Sequence, residues 1–181
     1  TYLGISVSTD DTLITACIAR AQAAIDAYTN RTFEASGNTS RTFDAVHDVD
    51  ERVLYLDRDL CAINSITNGD STTVTSGQYV TEPRNDTPYF AIRLRTDANV
   101  AWTYDDYPEN AITISGKWAY SVSAPADVVQ ACIRLAAFYY RAKDAQVFDV
   151  TASPELGTIT VPQGMPRDVE RLIEPYRKRL R

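Results

Sequence analysis

The hydrophobic period of this chain changes twice, and that limits the folds open to it. Across residues 10–28, Leu13, Ile14, Cys17, Ile18, Ala21, Ala24, Ile25 and Tyr28 recur at helical spacing, while Arg20, Gln22 and Asp26 fall on other faces. From about residue 41 to residue 120 the apolar residues form short β-branched and aromatic runs that alternate with polar residues. From Pro125 onward helical spacing returns. A bundle would keep one period throughout and a barrel the other. The pattern therefore predicts an α+β fold: a small helical core, made of an N-terminal helix plus two C-terminal helices, with an inserted antiparallel β lobe. The expected division is 1–40 for the N-terminal helical part, 41–120 for the β lobe and 121–181 for the C-terminal helical part.

Local signals fill in this outline. Ser8 or Thr9 can cap the first helix, and Asp10 and Asp11 put negative charge at the positive end of its dipole. In the lobe the strands are expected at 53–56, 62–67, 72–74, 78–81, 89–94, 100–104 and 111–118, with Asn68-Gly69 as a hairpin turn and Pro83, Pro88 and Pro108 between runs. The second helix, opened by Pro125, carries Val128, Val129, Cys132, Leu135, Ala136 and Tyr139 on one face with Ile133, Phe138 and Tyr140 beside it. A stripe that wide exceeds what one neighbour can cover, so this helix is expected at the centre of the helical part or against another subunit. Residues 148–164 read as a loop or weak hairpin around Pro154, Gly157 and Pro162. Met165-Pro166 opens a last helix with Val169, Leu172, Ile173 and Tyr176 on its apolar face, and Pro175 bends or ends it.

Composition excludes several classes. At 181 residues, with 44% apolar and 23% charged residues, the chain is of one-domain size and should bury roughly 70% of the surface its unfolded form exposes, which rules out general disorder. Lys and Arg number 18 against 24 Asp and Glu, and a net charge of −6 is the wrong sign for gripping nucleic acid over most of a surface. No stretch approaches the ~20 apolar residues of a membrane span. Thr1-Tyr2-Leu3-Gly4 lacks the layout of a signal peptide, so a chain made and used in a cytosol is expected. Cys17, Cys61 and Cys132 stand far apart and are odd in number, which suits reduced structural residues. The N-x-S/T matches at Asn30, Asn38 and Asn85 are of a kind frequent by chance in a Thr- and Asn-rich chain.

The clusters that could carry chemistry read better as solvated loops. His47, the only histidine, lies in His47-Asp48-Val49-Asp50-Glu51, which has neither the turn glycine of a calcium loop nor a second histidine for zinc. Asp105, Asp106 and Glu109 are turn neighbours, whereas glycoside hydrolysis needs carboxylates facing each other across a cleft. Nucleophile elbows, phosphate loops and dinucleotide fingerprints are absent, so no catalytic residue, metal or cofactor is expected. Charge is more informative: in residues 165–181 Arg167, Arg171, Arg177, Lys178, Arg179 and Arg181 face three acids, Asp168, Glu170 and Glu174, so this tail carries +3 and the rest of the chain −9. Cations near a helix C-terminus contribute about 0.3–1 kcal/mol each when exposed. The same cluster could instead be a docking peg for an acidic or polar partner. As a nucleic-acid tail it has thin support, with Tyr176 as its one aromatic neighbour.

Four segments together resemble the head-to-tail connector (head-completion adaptor) family of tailed bacteriophages. They are Ala24-Ile25-Asp26-Ala27-Tyr28-Thr29-Asn30-Arg31-Thr32-Phe33, Ile112-Thr113-Ile114-Ser115-Gly116-Lys117-Trp118-Ala119-Tyr120, Pro125-Ala126-Asp127-Val128-Val129-Gln130-Ala131-Cys132, and Met165-Pro166-Arg167-Asp168-Val169 with Pro175-Tyr176-Arg177. Each encodes helix packing rather than chemistry; their order along nearly the whole chain carries the likeness. That family inserts a β segment of variable length between helices, and it commonly has a further stretch before the first helix, which is expected to be short or missing here. The resemblance implies a virion protein of the head-to-tail junction, present in host cytoplasm during assembly. It implies a homo-oligomeric ring, usually dodecameric, that binds the portal protein on one side and a stopper or tail-completion protein on the other, while DNA passes without specific binding.

On that resemblance, Tyr176, Arg177, Lys178, Arg179 and Arg181 are the portal-docking candidates. Asp44, Asp48, Asp50 and Glu51 are the channel-facing acidic candidates, because a wall that lets a polyanion slide should not hold phosphates. Phe138, Tyr139 and Tyr140 are the ring-interface candidates. The competing reading is a carbohydrate-binding or carbohydrate-cleaving β module of a phage particle, with Trp102, Tyr104, Tyr107 and Trp118 as a sugar-stacking platform near Asp105 or Glu109. Tail terminators and stoppers are mostly β barrels, which the helical periodicity at both ends argues against.

Overall fold

A computed structural model describes residues 10–142, 150–153, 157–160 and 164–178. The chain separates into two compact units: Thr1–Asn30 joined by Pro125–Arg181, and Arg31–Ala124 between them. The fold is α+β, as the change of period requires, with three α-helices and antiparallel sheets among the described residues.

In the helical unit, α1 (Asp11–Thr29) buries Cys17, Ala21, Ile25 and Thr29, a stripe at four-residue steps. Ser8 and Thr9, expected as caps, lie outside the described residues. Asp10 occupies the N-cap position without capping the backbone through its side chain; its carboxylate accepts the Tyr140 hydroxyl instead. Asn30 ends the helix at φ 53°, a left-handed conformation that asparagine tolerates, and returns its N–H to the Asp26 carbonyl. Helix α2 (Ala126–Ala142) starts after Pro125, whose carbonyl accepts the Val129 N–H at 3.0 Å. It buries Val128, Ala131, Leu135, Ala136 and Ala137. Strands β8 (Val150–Ser153) and β9 (Gly157–Thr160) form an antiparallel hairpin, the stronger of the two forms expected for that stretch. Helix α3 (Arg167–Ile173) buries Val169 and Ile173 and passes into a 3-10 turn, Glu174–Tyr176, at Pro175, where a proline cannot continue the α-helical ladder.

Polar contacts tie the helices together. Arg134 of α2 pairs with Asp168 of α3, the Tyr28 hydroxyl donates to Glu174 at 2.6 Å, and the Lys178 N–H donates to the Thr29 carbonyl at 2.8 Å. The end of the described chain is thereby fastened to the end of α1.

The β unit holds two sheets around one core. Strands β1 (Thr39–Phe43), β7 (Ile112–Lys117) and β4 (Ala62–Thr67) form the first, in the order β1-β7-β4. Strands β2 (Val49–Asp50), β3 (Val53–Leu60), β6 (Tyr89–Leu94) and β5 (Tyr79–Glu82) form the second, in the order β2-β3-β6-β5. Central β7 shows the period of two, burying Ile112, Ile114 and Gly116 and leaving the residues between them half-buried. At Gly116 a Cβ would run into the Ala62 carbonyl oxygen and come within 2.9 Å of Leu60 Cδ1, so glycine is required there. Phe43, Leu54, Leu60, Ile66, Ile92, Leu94, Trp102, Ile112 and Ile114 make the core, each large aliphatic contributing about 1.5–3 kcal/mol relative to exposure.

Three local expectations are corrected. Residues 72–74 and 100–104 are not strands; each makes only isolated bridges, Thr67 to Thr73 and Gly69 to Tyr104. Their apolar residues are there to fill the core, as buried Val74 and Trp102 do. The positive φ of the turn after β4 falls on Ser71 (64°) rather than on Asn68-Gly69. Asn68 is buried and grips the neighbouring segment instead, its amide donating to the Ala101 carbonyl at 2.8 Å and accepting the Thr103 N–H at 3.2 Å. Gly69 lies against Thr103 and Tyr104, where a Cβ would clash with backbone. Arg52 holds the preceding loop in the same way, donating to the carbonyls of Leu94, Arg95, Ala98 and Val100.

Candidate functional site

Chemistry and assembly make different demands on a surface. Among the described residues no three His, Cys, Asp or Glu side chains are placed to hold a metal ion. Asp44 shows why the acidic loop is self-contained. Its carboxylate accepts the backbone N–H groups of Val46 (2.7 Å) and His47 (2.8 Å) and lies 3.2 Å from His47 Nδ1, while its own N–H donates to Asp48. The N–H bonds from His47 and Val46 hold the Asp44 carboxyl below the usual carboxylate range. Asp44 and Asp48 are half-buried, spent on shaping the turn, whereas Asp50 and Glu51 are exposed. Asp105, Asp106 and Glu109 are exposed as well.

The four aromatics of the sugar-platform reading do not share a face free for stacking. Trp102 is 8% exposed and donates its indole N–H to the Arg52 carbonyl. Trp118 packs on Phe43 and under the Arg41 guanidinium, with its N–H on the Thr39 carbonyl. Tyr104 and Tyr107 alone are exposed.

The helical unit behaves differently. Its second helix buries one apolar row, Val128, Ala131 and Leu135, and leaves another at the surface, with Val129 45% and Ile133 40% exposed. On α1, Ile18 is 42% exposed. Ile14, Cys17 and Ile18 face Ile133, Ala136, Ala137 and Tyr140 across an apolar groove of about 110 Å³. The wide stripe read from the sequence is thus divided between core and surface. The surface half is centred on Val129, Ile133 and Ile18, which the sequence placed on apolar faces without marking them as exposed. The ring candidates lie near it: Phe138, Tyr139 and Tyr140 are half-buried, Tyr139 lies under the Arg20 guanidinium at 4.3 Å, and Tyr140 lines the groove.

Of the basic tail, Tyr176 and Lys178 are half-buried and Arg177 is exposed with its guanidinium 5.4 Å from the Tyr28 ring. Arg179 and Arg181 lie outside the described residues. Charge also divides between the units. Residues 31–124 hold 14 acids and eight bases, a net −6, and the helical unit holds ten of each. The whole net charge of the chain is therefore on its β unit.

A family model described as "head completion protein" matches residues 1–179, practically the entire chain. The chain belongs to the head completion protein family. No curated protein matches it. Solved structures with a similar fold come from gene transfer agent particles. One is the neck of an empty particle treated with C6 symmetry (TM-score 0.58, 19% identity, covering 98% of this chain and 84% of that one). Another is the neck of the native particle with C12 symmetry (0.55, 18%, covering 93% and 83%). A third is the native virion (0.53, 19%, covering 99% and 86%). At this identity the likeness is one of fold. Head completion proteins are structural components of the virion at the head-to-tail junction, and a molecule whose notable surfaces are an apolar groove and an acidic lobe suits that work.

Proposed function

We propose that this head completion protein forms a homo-oligomeric ring below the portal vertex, joins the filled head to the stopper or tail, and extends the DNA channel. The observation that carries the reading is the division of charge between its two units. A ring sets like units side by side. The helical unit, net neutral and bearing exposed Ile18, Val129 and Ile133, can approach its own copy without net repulsion. The β unit, at −6, repels DNA and adds no phosphate-binding attraction to the passage. Asp50 and Glu51 are the exposed charges of its acidic loop, with Asp44 and Asp48 holding the loop's shape. The symmetric necks of gene transfer agents support the ring, since proteins of this fold stand in particles averaged with C6 or C12 symmetry.

Docking on the portal falls to the basic tail, through Tyr176, Arg177, Lys178, Arg179 and Arg181. Because the Lys178 N–H and the Arg177 side chain also fasten this segment to α1, the test is by substitution rather than truncation. Arg177→Gln with Lys178→Gln should weaken binding to purified portal severalfold and lessen its salt dependence, with the chain still folded by circular dichroism. Unaltered binding would remove the tail from the interface. The role itself is tested by electron microscopy of a lysate in which the gene carries an early stop codon. Separate tails beside heads that are empty or losing DNA are expected; intact tailed particles would overturn the proposal.

A further inference from the structure

We infer that Tyr28 is the positioning residue of the docking tail: it keeps Glu174 from neutralising Arg177, and so leaves the Arg177 guanidinium available to a carboxylate of the portal. The inference rests on the portal-docking reading of the tail and adds to it the side chain that makes the arginine usable. Tyr28 is the penultimate residue of α1, and the tail occupies both its hydroxyl and its ring. The hydroxyl donates to Glu174 Oε2 at 2.6 Å. The ring lies 5.4 Å from the Arg177 guanidinium, within the range at which an aromatic face attracts a cation.

Without the tyrosine, the two charges would be natural partners of each other. Glu174 opens the 3-10 turn and Arg177 closes it, with the Arg177 N–H donating to the Glu174 carbonyl at 3.1 Å. Side chains three residues apart in such a turn lie nearly in line, a spacing at which opposite charges pair. Yet among the described residues Arg177 pairs with no carboxylate, whereas Arg31, Arg41, Arg93, Arg95 and Arg134 each do.

Tyr28 accounts for the difference. Its phenol gives Glu174 a neutral donor, and its ring holds the guanidinium through charge without using any of the five N–H donors of the arginine. The Lys178 N–H, bonded to the Thr29 carbonyl at 2.8 Å, fixes the backbone just beyond. Arg177 is thereby exposed, oriented and unneutralised, the state that favours capture of a carboxylate by a guanidinium fork.

The test measures binding of the full-length protein to purified portal for the parent chain, Tyr28→Phe, Glu174→Gln, the double variant Tyr28→Phe with Glu174→Gln, and the tail variant Arg177→Gln with Lys178→Gln. Loss of the hydroxyl frees Glu174 to pair with Arg177, so Tyr28→Phe should bind about threefold more weakly, the scale of one exposed ion pair. Adding Glu174→Gln removes the competing charge and should restore binding to near the parent level, a rescue that a merely structural tyrosine would not show. Glu174→Gln alone should bind at least as well as the parent. Circular dichroism checks folding; should Tyr28→Phe unfold, Tyr28→Met, which also lacks the hydroxyl, takes its place with the same rescue expected. Parent-like binding by Tyr28→Phe beside weak binding by the tail variant would overturn this inference and leave the docking reading standing. Weak binding by Tyr28→Phe that Glu174→Gln does not restore would also overturn it. Parent-like binding by the tail variant would instead overturn the docking reading.

Discussion

Two aspartates show how the same side chain takes opposite signs in different surroundings. Asp44 is held ionised by the N–H groups of His47 and Val46, so its pKa is lower folded than unfolded. Its stabilising contribution is complete above the ordinary carboxylate value of about 4 and is lost as pH falls through the depressed folded value. Asp44→Asn should flatten the acid side of a plot of melting temperature against pH; an acid side of unchanged steepness would mean that the turn does not need the charge. Asp26 is the reverse case. Burial pushes its carboxyl up, so the ionised form carries a cost at neutral pH that disappears as pH falls through the raised value. Asp26→Asn should raise the melting temperature at pH 7, and the gain should shrink toward acid. Asn68 is costlier to change, because alanine there removes the hydrogen bonds to the Ala101 carbonyl and from the Thr103 N–H, each contributing about 0.5–1.5 kcal/mol. Equilibrium unfolding in urea measures that loss. None of these roles was legible from residue type. The sequence marked Asn68-Gly69 as turn residues, and only the approach of Thr103 and Tyr104 shows them holding a neighbouring segment.

Helices and strands were legible to different degrees for a physical reason. A helix face repeats over many residues, so α1, α2 and α3 stand out even where a row proves to be exposed. Strand β1, with only Phe43 buried, has too few inward residues to register, and two-residue β2 is visible only through its pairing with β3. The runs at 72–74 and 100–104 have strand composition and enter the core as loops, because β-branched and aromatic residues report burial as much as pairing. Solvent on one side of α2 is equally invisible in a sequence. Rows one residue apart, Val128 and Val129, look alike until the partner helices are placed. The element-scale expectation separates them. Leu135→Ala should cost about 2–5 kcal/mol of folding stability, as removal of a buried leucine does. Ile133→Ala should cost less than about 1 kcal/mol and act on assembly instead. Equal losses in denaturant melts would mean that both rows belong to the core.

At the scale of the whole molecule, the chain combines a neutral helical unit with a β unit that carries all of its net charge. Its family membership extends over both units, so the insertion is part of a head completion protein rather than an addition to one. The division into two textures was readable from hydrophobic period, and the family from four short segments in order. What neither could supply was the surface used for assembly, since that depends on which apolar residues are left uncovered after folding. The central claim is a ring at the portal, with helical units in contact and acidic β units kept clear of phosphate. Cryo-electron microscopy of purified portal mixed with this protein tests it most directly. A closed ring below the portal, with the helical units of neighbouring copies in contact, is the predicted result; portal left bare at saturating protein, or copies bound singly without touching one another, would contradict it.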